Sequence, residues 1–415
     1  MLSVLITIGN LLLVLSALGM IGVQLWMFAF RRVTRAAGLT PSLWNSVARG
    51  RLRGVDVEVR LEPARGGWAT TIEVSGVPRD FRLTTLGAGT EVQRALVGRG
   101  LETGDSTFDD TFWLRGDERL MLAAFDHRTR GAVRRLTREV RELRLGAGSL
   151  CVRLWWRLPG KEELRGILDT LLELARPLAS GAGQSAEVDA RLFHNAFSDP
   201  NSRVRAKNLR VLLERADGAV RADAIAAALH HEQAELRFLG AQATGGVAWQ
   251  TMAELARDQR NGPALRLAAL KHLPPALVPR AIRVEVALSC VGRPDPALAA
   301  LAARLLGAAA ESGDARIEAI LVGILERADA EVKLGAAEAL GLMGTVRSVA
   351  SLLELEAVGG ALATGARRAV RAIQSRAEGA EAGALSLSVA GGDSGALSYP
   401  AAEEGALALI EPREG

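Results

Sequence analysis

Between Asp199 and Arg376 the sequence keeps returning to one pattern. The copies are DPNSRVRAKNLRVLLE from Asp199, AELRFLGAQATGG from Ala234, NGPALRLAALKHL from Asn261, DPALAALAARLLGAAAESGD from Asp295, DAEVKLGAAEALGLMG from Asp329 and GGALATGARRAVRAI from Gly359. Taking Arg205, Arg237, Arg266, Ala299, Lys333 and Arg367 as equivalent points gives a step of roughly 30 to 35 residues, the period of a repeat protein. Second apolar helices, such as VAWQTMAELARD and RIEAILVGILERA, lie between the copies, so each unit is a helix pair. A pair of this length cannot bury its apolar face alone. Stacked pairs bury a continuous core and build an α-solenoid.

The motif residues add a family. Asp199 with Val204 and Arg205, and Asp329 with Val332, Lys333 and AAEALGLMG, resemble HEAT repeats. The resemblance implies that the Asp caps a helix and that the Val-Arg or Val-Lys pair starts the second helix of the unit. It covers a little under half of the chain and implies architecture without a partner, because solenoids bind through surfaces that differ between proteins.

The rest of the chain divides around this segment. Residues 1–30 are expected to form a single N-terminal transmembrane helix, 31–54 a basic juxtamembrane segment, 55–179 an α+β domain and 180–186 a linker. The solenoid of HEAT-like helix pairs then takes 187–377 and a disordered acidic low-complexity tail 378–415. The first span rests on hydropathy: no charge precedes Arg31, and about 20 apolar residues suffice to cross a bilayer. Trp26, Phe28 and Phe30 stand where an interfacial aromatic belt belongs, and Arg31, Arg32 and Arg35 follow at once. That positive flank predicts a single-pass anchor in a bacterial inner membrane with the bulk of the chain cytoplasmic. A cleaved signal peptide competes, but it would want a basic n-region and a shorter apolar core. Thr40-Pro41 reads as a helix start, with Trp44 and Arg49, Arg51 and Arg53 on a helix that either lies on anionic lipid or packs as a connector.

From Val55 three alternating stretches read as strands, and STFDDTFWLRG as another. DERLMLAAFDHRTRGAVRRLTREV reads as a helix broken near Gly131, followed by a hairpin around Gly146-Ala147-Gly148 and an amphipathic helix. Phe108, Asp109, Phe112, Leu122, Arg130, Val133, Leu136, Leu150 and Val152 follow an order similar to a class of uncharacterised bacterial membrane-anchored domains, which carries no activity over.

Arginine outnumbers lysine more than tenfold, yet the formal net charge is only +4, too small for a dedicated nucleic-acid binder. Cys151 and Cys290 have neither CxxC nor metal spacing, so reduced thiols are expected. Asp105, Asp109, Asp110, Asp126 and His127 form the best acid/base cluster, but TGDSTFDD also reads as a turn whose acids bond local amides. His230-His231 lacks the four-residue spacing of a helical metal pair. No cofactor is expected. Seven arginines between Arg128 and Arg144 read as a solvated face or as a docking face for an acidic partner. The solenoid arginines are expected to pair with capping acids of adjacent repeats.

The tail holds three echoes, EAGALSL from Glu381, DSGALSY from Asp393 and EEGALAL from Glu403, whose Leu385, Leu397 and Leu407 are candidate partner-binding residues. Together these features predict a non-catalytic membrane-anchored scaffold that binds a protein along the solenoid's concave face. Self-association stays open. The alternatives are an enzyme or enzyme subunit using Asp105, Asp109 and His127, and a nucleic-acid cradle. The evenly mixed acids and arginines speak against the cradle, so no nucleic-acid partner is expected.

Overall fold

The computed structural model describes residues 20–376 apart from 44, 65, 66, 78, 80, 86–99, 141, 147, 156, 180–184, 217 and 293. They form two units, 1–224 and 225–415.

The first unit is built on alternation. VDVEVRLEP and WATTIEVS place every second residue on one face, and that face is apolar. The result is an eight-stranded antiparallel sheet in the order β1-β2-β3-β4-β8-β7-β5-β6. Its strands are β1 Thr40–Pro41, β2 Val47–Leu52, β3 Val55–Ala64, β4 Gly67–Ser75, β5 Arg82–Thr85, β6 Phe112–Arg115, β7 Glu142–Gly146 and β8 Ser149–Trp155. Val57, Val59, Ile72, Val74, Leu143, Leu145, Leu150 and Val152 are buried on one side. On the other side a register row runs Arg49, Glu58, Glu73, Cys151, Arg144, Thr84 and Trp113.

Helix α1 (20–36) and α5 (Lys161–Ala179) supply core partners to the buried face. Between β5 and β7 lie α2 (Ser106–Asp109), α3 (Glu118–Ala124) and α4 (His127–Glu139). The break in the expected long helix falls at Phe125-Asp126, where Asp126 accepts from Thr129 N at 2.7 Å, and Gly131 lies inside α4. Helices α6 (Ser185–Ser198) and α7 (Ser202–Arg215) pack on α3 and complete this unit.

Two expectations are corrected here. Among the described residues no helix is long and apolar enough to cross a membrane. Residues 1–19 of the expected span lie outside the described residues. Helix α1 buries Phe30 and Thr34 completely, and Trp26, Met27 and Val33 pack against the sheet's core, although Ile21, Leu25 and Phe28 are exposed. Arg31, Arg32 and Arg35 end this helix, and Arg31 donates to Leu43 O at 2.7 Å. The hydrophobicity of Trp26, Met27, Phe30 and Val33, which had suggested lipid, is thus spent on protein, and with no helix long and apolar enough among the described residues the single-pass inner-membrane location is withdrawn. Residues 47–52 are a strand and not a helix: Ala48 and Leu52 alternate with Arg49 and Arg51, and β1 pairs Thr40 with Arg49. Trp44 lies outside the described residues.

The division between units falls inside α8 (Gly218–Leu229). The second unit alternates two rows of helices. One row is α9 (Ala234–Ala243), α11 (Pro263–Lys271), α13 (Pro296–Ala309), α15 (Ala330–Met343) and α17 (Gly360–Arg376). The other holds α10 (Trp249–Arg257), α12 (Arg280–Val291), α14 (Ala315–Arg327) and α16 (Val349–Ala357). Leu298, Leu306, Leu321, Leu340 and Leu352 are fully buried between the rows, in a core continuous from Ala241 to Ile373. Leu305 is half-buried against it.

Candidate functional site

The acid cluster that could have done chemistry holds up loops and helix ends. Asp105 caps α2, accepting from Phe108 N at 3.3 Å, and Asp117 caps α3 through Leu120 N at 2.9 Å. Asp109 accepts from Thr103 N at 2.9 Å, Thr103 Oγ1 at 2.8 Å and Gly104 N at 3.0 Å. Burial raises the Asp109 carboxyl above its usual range, against these three bonds and with the Asp105 charge adding to the rise. Asp110 and His127 are exposed. Each of the other acids is committed to a local amide, as the turn reading of TGDSTFDD anticipated. No three His, Cys, Asp or Glu among the described residues are grouped to hold a metal ion. His231 Nδ1 accepts from Gln233 N at 2.9 Å, and Cys151 and Cys290 are not joined in a disulfide.

The largest fully buried side chain among the described residues is Arg130, 1% exposed. Its Nε donates to Asp105 Oδ2 at 3.0 Å, Nη1 to Phe125 O at 2.8 Å, and Nη2 to both carboxylate oxygens of Asp199 at 3.0 and 3.1 Å. Arg134 reaches Asp105 as well, at 2.6 Å. Burial opposes ionisation of Asp105, but the Arg130 hydrogen bond and the two guanidinium charges outweigh it and hold the carboxyl below its usual range. Arg119 to Asp189 at 2.9 Å and Asn195 Nδ2 to Leu122 O at 3.0 Å join the same elements. A sequence signal existed: Arg130 stands three residues before Val133 and six before Leu136, on the buried stripe of α4.

The repeat-defining residues are placed as follows. Asp199 precedes α7 and binds Arg130 and Asn201 N, while Asn201 is the residue at the helix cap. Val204 and Val332 are buried. Arg205 donates to Asp199 O at 2.7 Å and Arg237 to His231 O at 3.1 Å, six residues back in both cases. Asp329 stands at the N-cap of α15 without a side-chain cap bond, and Lys333 lies one turn further on. The arginines therefore close loop carbonyls where capping acids were expected as their partners. Asp295 and Asp314 do cap, α13 through Leu298 N at 2.8 Å and α14 through Arg316 N at 3.0 Å.

Small residues set the spacing of the α13, α15 and α17 row. A Cβ on Gly335 would lie 2.7 Å from Ala300 O, one on Gly341 3.1 Å from Ala369 Cα, and one on Gly307 would collide with Ala339. These contacts draw the backbones of α13, α15 and α17 into one tightly packed row. Residues 284–374 match the family model for HEAT repeats. The C-terminal region accordingly has HEAT-repeat character. No curated protein matches the chain.

Several side chains link helices α9, α11, α13, α15 and α17 or stand at their surface. Gln242 meets His272 at 3.2 Å, and the Phe238 and His272 rings lie edge to face at 5.6 Å. Arg304 pairs with Glu338 at 2.6 Å, bridging α13 and α15. Leu342, in the last turn of α15, is 58% exposed. Arg368 and Arg371 on α17 are exposed and have no ion pair among the described residues. Leu385, Leu397 and Leu407 lie outside the described residues.

Proposed function

We propose that the protein is a non-catalytic scaffold that recognises a protein partner along the row of α13, α15 and α17, taken as the inner row of its HEAT-like solenoid. The observation that carries this reading is the row itself. Glycine and alanine bring α13, α15 and α17 together, Arg304 pairs with Glu338 across α13 and α15, and Leu342, one turn beyond Glu338, is exposed. A preformed surface of this kind binds without large rearrangement, and affinity concentrates on a few of its residues. The exposed groups alternate in sign and include an unpaired leucine, which suits a protein segment better than a phosphate backbone. In the first unit, the engagement of Asp105 and Asp109 with backbone amides and arginines supports a structural role for the loop that an enzyme would have used.

The test is affinity capture from cells with the full chain and with Glu338→Lys and Leu342→Asp combined. Both positions are on the surface side of α15, so the fold should hold, checked by circular dichroism. Loss of a specific set of bound proteins is the expected result. An unchanged set would overturn the proposal.

A further inference from the structure

The end of the solenoid carries charge that the stack does not use. Helix α17 exposes Arg367, Arg368 and Arg371. Arg367 is matched by Glu356 at 2.7 Å, whereas Arg368 and Arg371 have no ion pair among the described residues. Arg376, the last described residue, turns back on the end of α15: it donates to Gly341 O, and to Gly344 O at 3.0 Å. The last described residue is therefore tied to the end of α15, where Leu342 is a large apolar side chain left exposed. The last helices of the unit thus carry an uncovered leucine on α15 and, on α17, two guanidinium groups with no ion pair among the described residues.

The sequence that follows is complementary in both respects. Residues 377–415 hold seven carboxylates, Glu378, Glu381, Asp393, Glu403, Glu404, Glu411 and Glu414, against Arg413 alone. Its three echoes each set an acid just ahead of Gly-Ala-Leu and end on an apolar residue, Leu387, Tyr399 or Leu409. Reach is no obstacle. Arg371 and Arg368 lie five and eight residues before Arg376, about 7.5 and 12 Å back along the helix. Glu381 lies five residues beyond it, up to about 17 Å away when extended. Tethering gives such a segment a high effective concentration, so weak contacts suffice.

We infer that the chain's own tail, beginning with Glu381–Leu387, folds back on this end of the inner row, its acids on Arg368 and Arg371 and its leucines on Leu342. The tail then occupies, as an internal ligand, part of the face assigned above to the partner. The inference rests on that assignment and gives it a partner class: a segment that displaces the tail combines acids with closely following leucines. Later echoes can replace the first.

The experiment uses the full chain with Leu342→p-benzoylphenylalanine, irradiated and analysed by mass spectrometry. The expected major product is an intramolecular cross-link from position 342 to a peptide within 377–409. Mixing isotopically light and heavy chains establishes that both ends belong to one molecule. The yield should drop about fivefold or more at roughly 0.5 M salt, where exposed charges are screened, and likewise with Arg368→Glu plus Arg371→Glu. Cross-links confined to another protein would overturn the inference while leaving the scaffold reading intact. Cross-links between two chains, to other segments of this chain, or none at all would overturn it too. So would a tail cross-link indifferent to charge reversal. If the reversed variant does not fold, the salt comparison on the unreversed chain decides, and equal yields overturn the inference.

Discussion

Arg130→Met keeps the hydrocarbon stem inside the first unit and removes the charge that three acceptors share. Asp199, with a side chain 1% exposed, would then keep only the Asn201 amide. Asp105, 14% exposed, retains Arg134 and solvent. Removing one partner of a buried pair costs about 3–5 kcal/mol, because the remaining charge stays buried without compensation. For a unit of 150–250 residues each kcal/mol moves the midpoint by about 2–4 °C, so a fall of about 6–20 °C is expected by calorimetry. Hydrogen exchange should rise first in α3, α4, α6 and α7, the elements that the guanidinium ties together. Asp199→Leu made in the same chain removes the stranded charge, so the double variant should recover part of the loss. A single-variant cost below about 1 kcal/mol, or simple additivity of the two changes, would refute the view that Arg130 and Asp199 act as one buried unit.

Three further outcomes are expected. Leu340→Ala, at a fully buried position, should cost about 2–5 kcal/mol and speed exchange in α13, α15 and α17 before the sheet unit responds. Gly307→Ala should push α13 from α15 and cost about 1–3 kcal/mol by overpacking, measured by urea titration. For Asp105, a folded-state pKa below the unfolded one gives stability that is present above about pH 4 and lost as pH falls through the folded value. Asp105→Asn should therefore lower stability at neutral pH and flatten its decline below about pH 4, followed by fluorescence.

The solenoid was legible because its period is written in residues that pack: Leu340, Val332 and the small residues recur whenever a helix meets its neighbour. Charged groups were harder to read. Nothing local tells whether Asp199 caps a helix or accepts a buried arginine, since the deciding partner, Arg130, is 69 residues away. The apolar segment ahead of Arg31 misled for a related reason. Hydropathy registers that Phe30 avoids water and is silent on whether lipid or a sheet replaces it. The strand at Val47–Leu52 hid behind its arginines, which alternate with Ala48 and Leu52 but look like a basic run when counted together.

Three arginines that join helices across the second unit bond main-chain acceptors, unlike Arg304, which pairs with Glu338. Arg266 bonds Ala256 O at 2.8 Å, Arg280 bonds Ala309 O, and Arg376 bonds Gly344 O at 3.0 Å. Each closes the carbonyl end of a helix, where positive charge is favoured anyway. A carbonyl oxygen is present whatever side chain the position carries. The receiving helix can therefore change its sequence freely without losing the bond, whereas an arginine-carboxylate pair would require two positions to change in step. At such one-sided joints the receiving repeat can drift in sequence while the bond persists, and of the two positions only the donor needs to be kept.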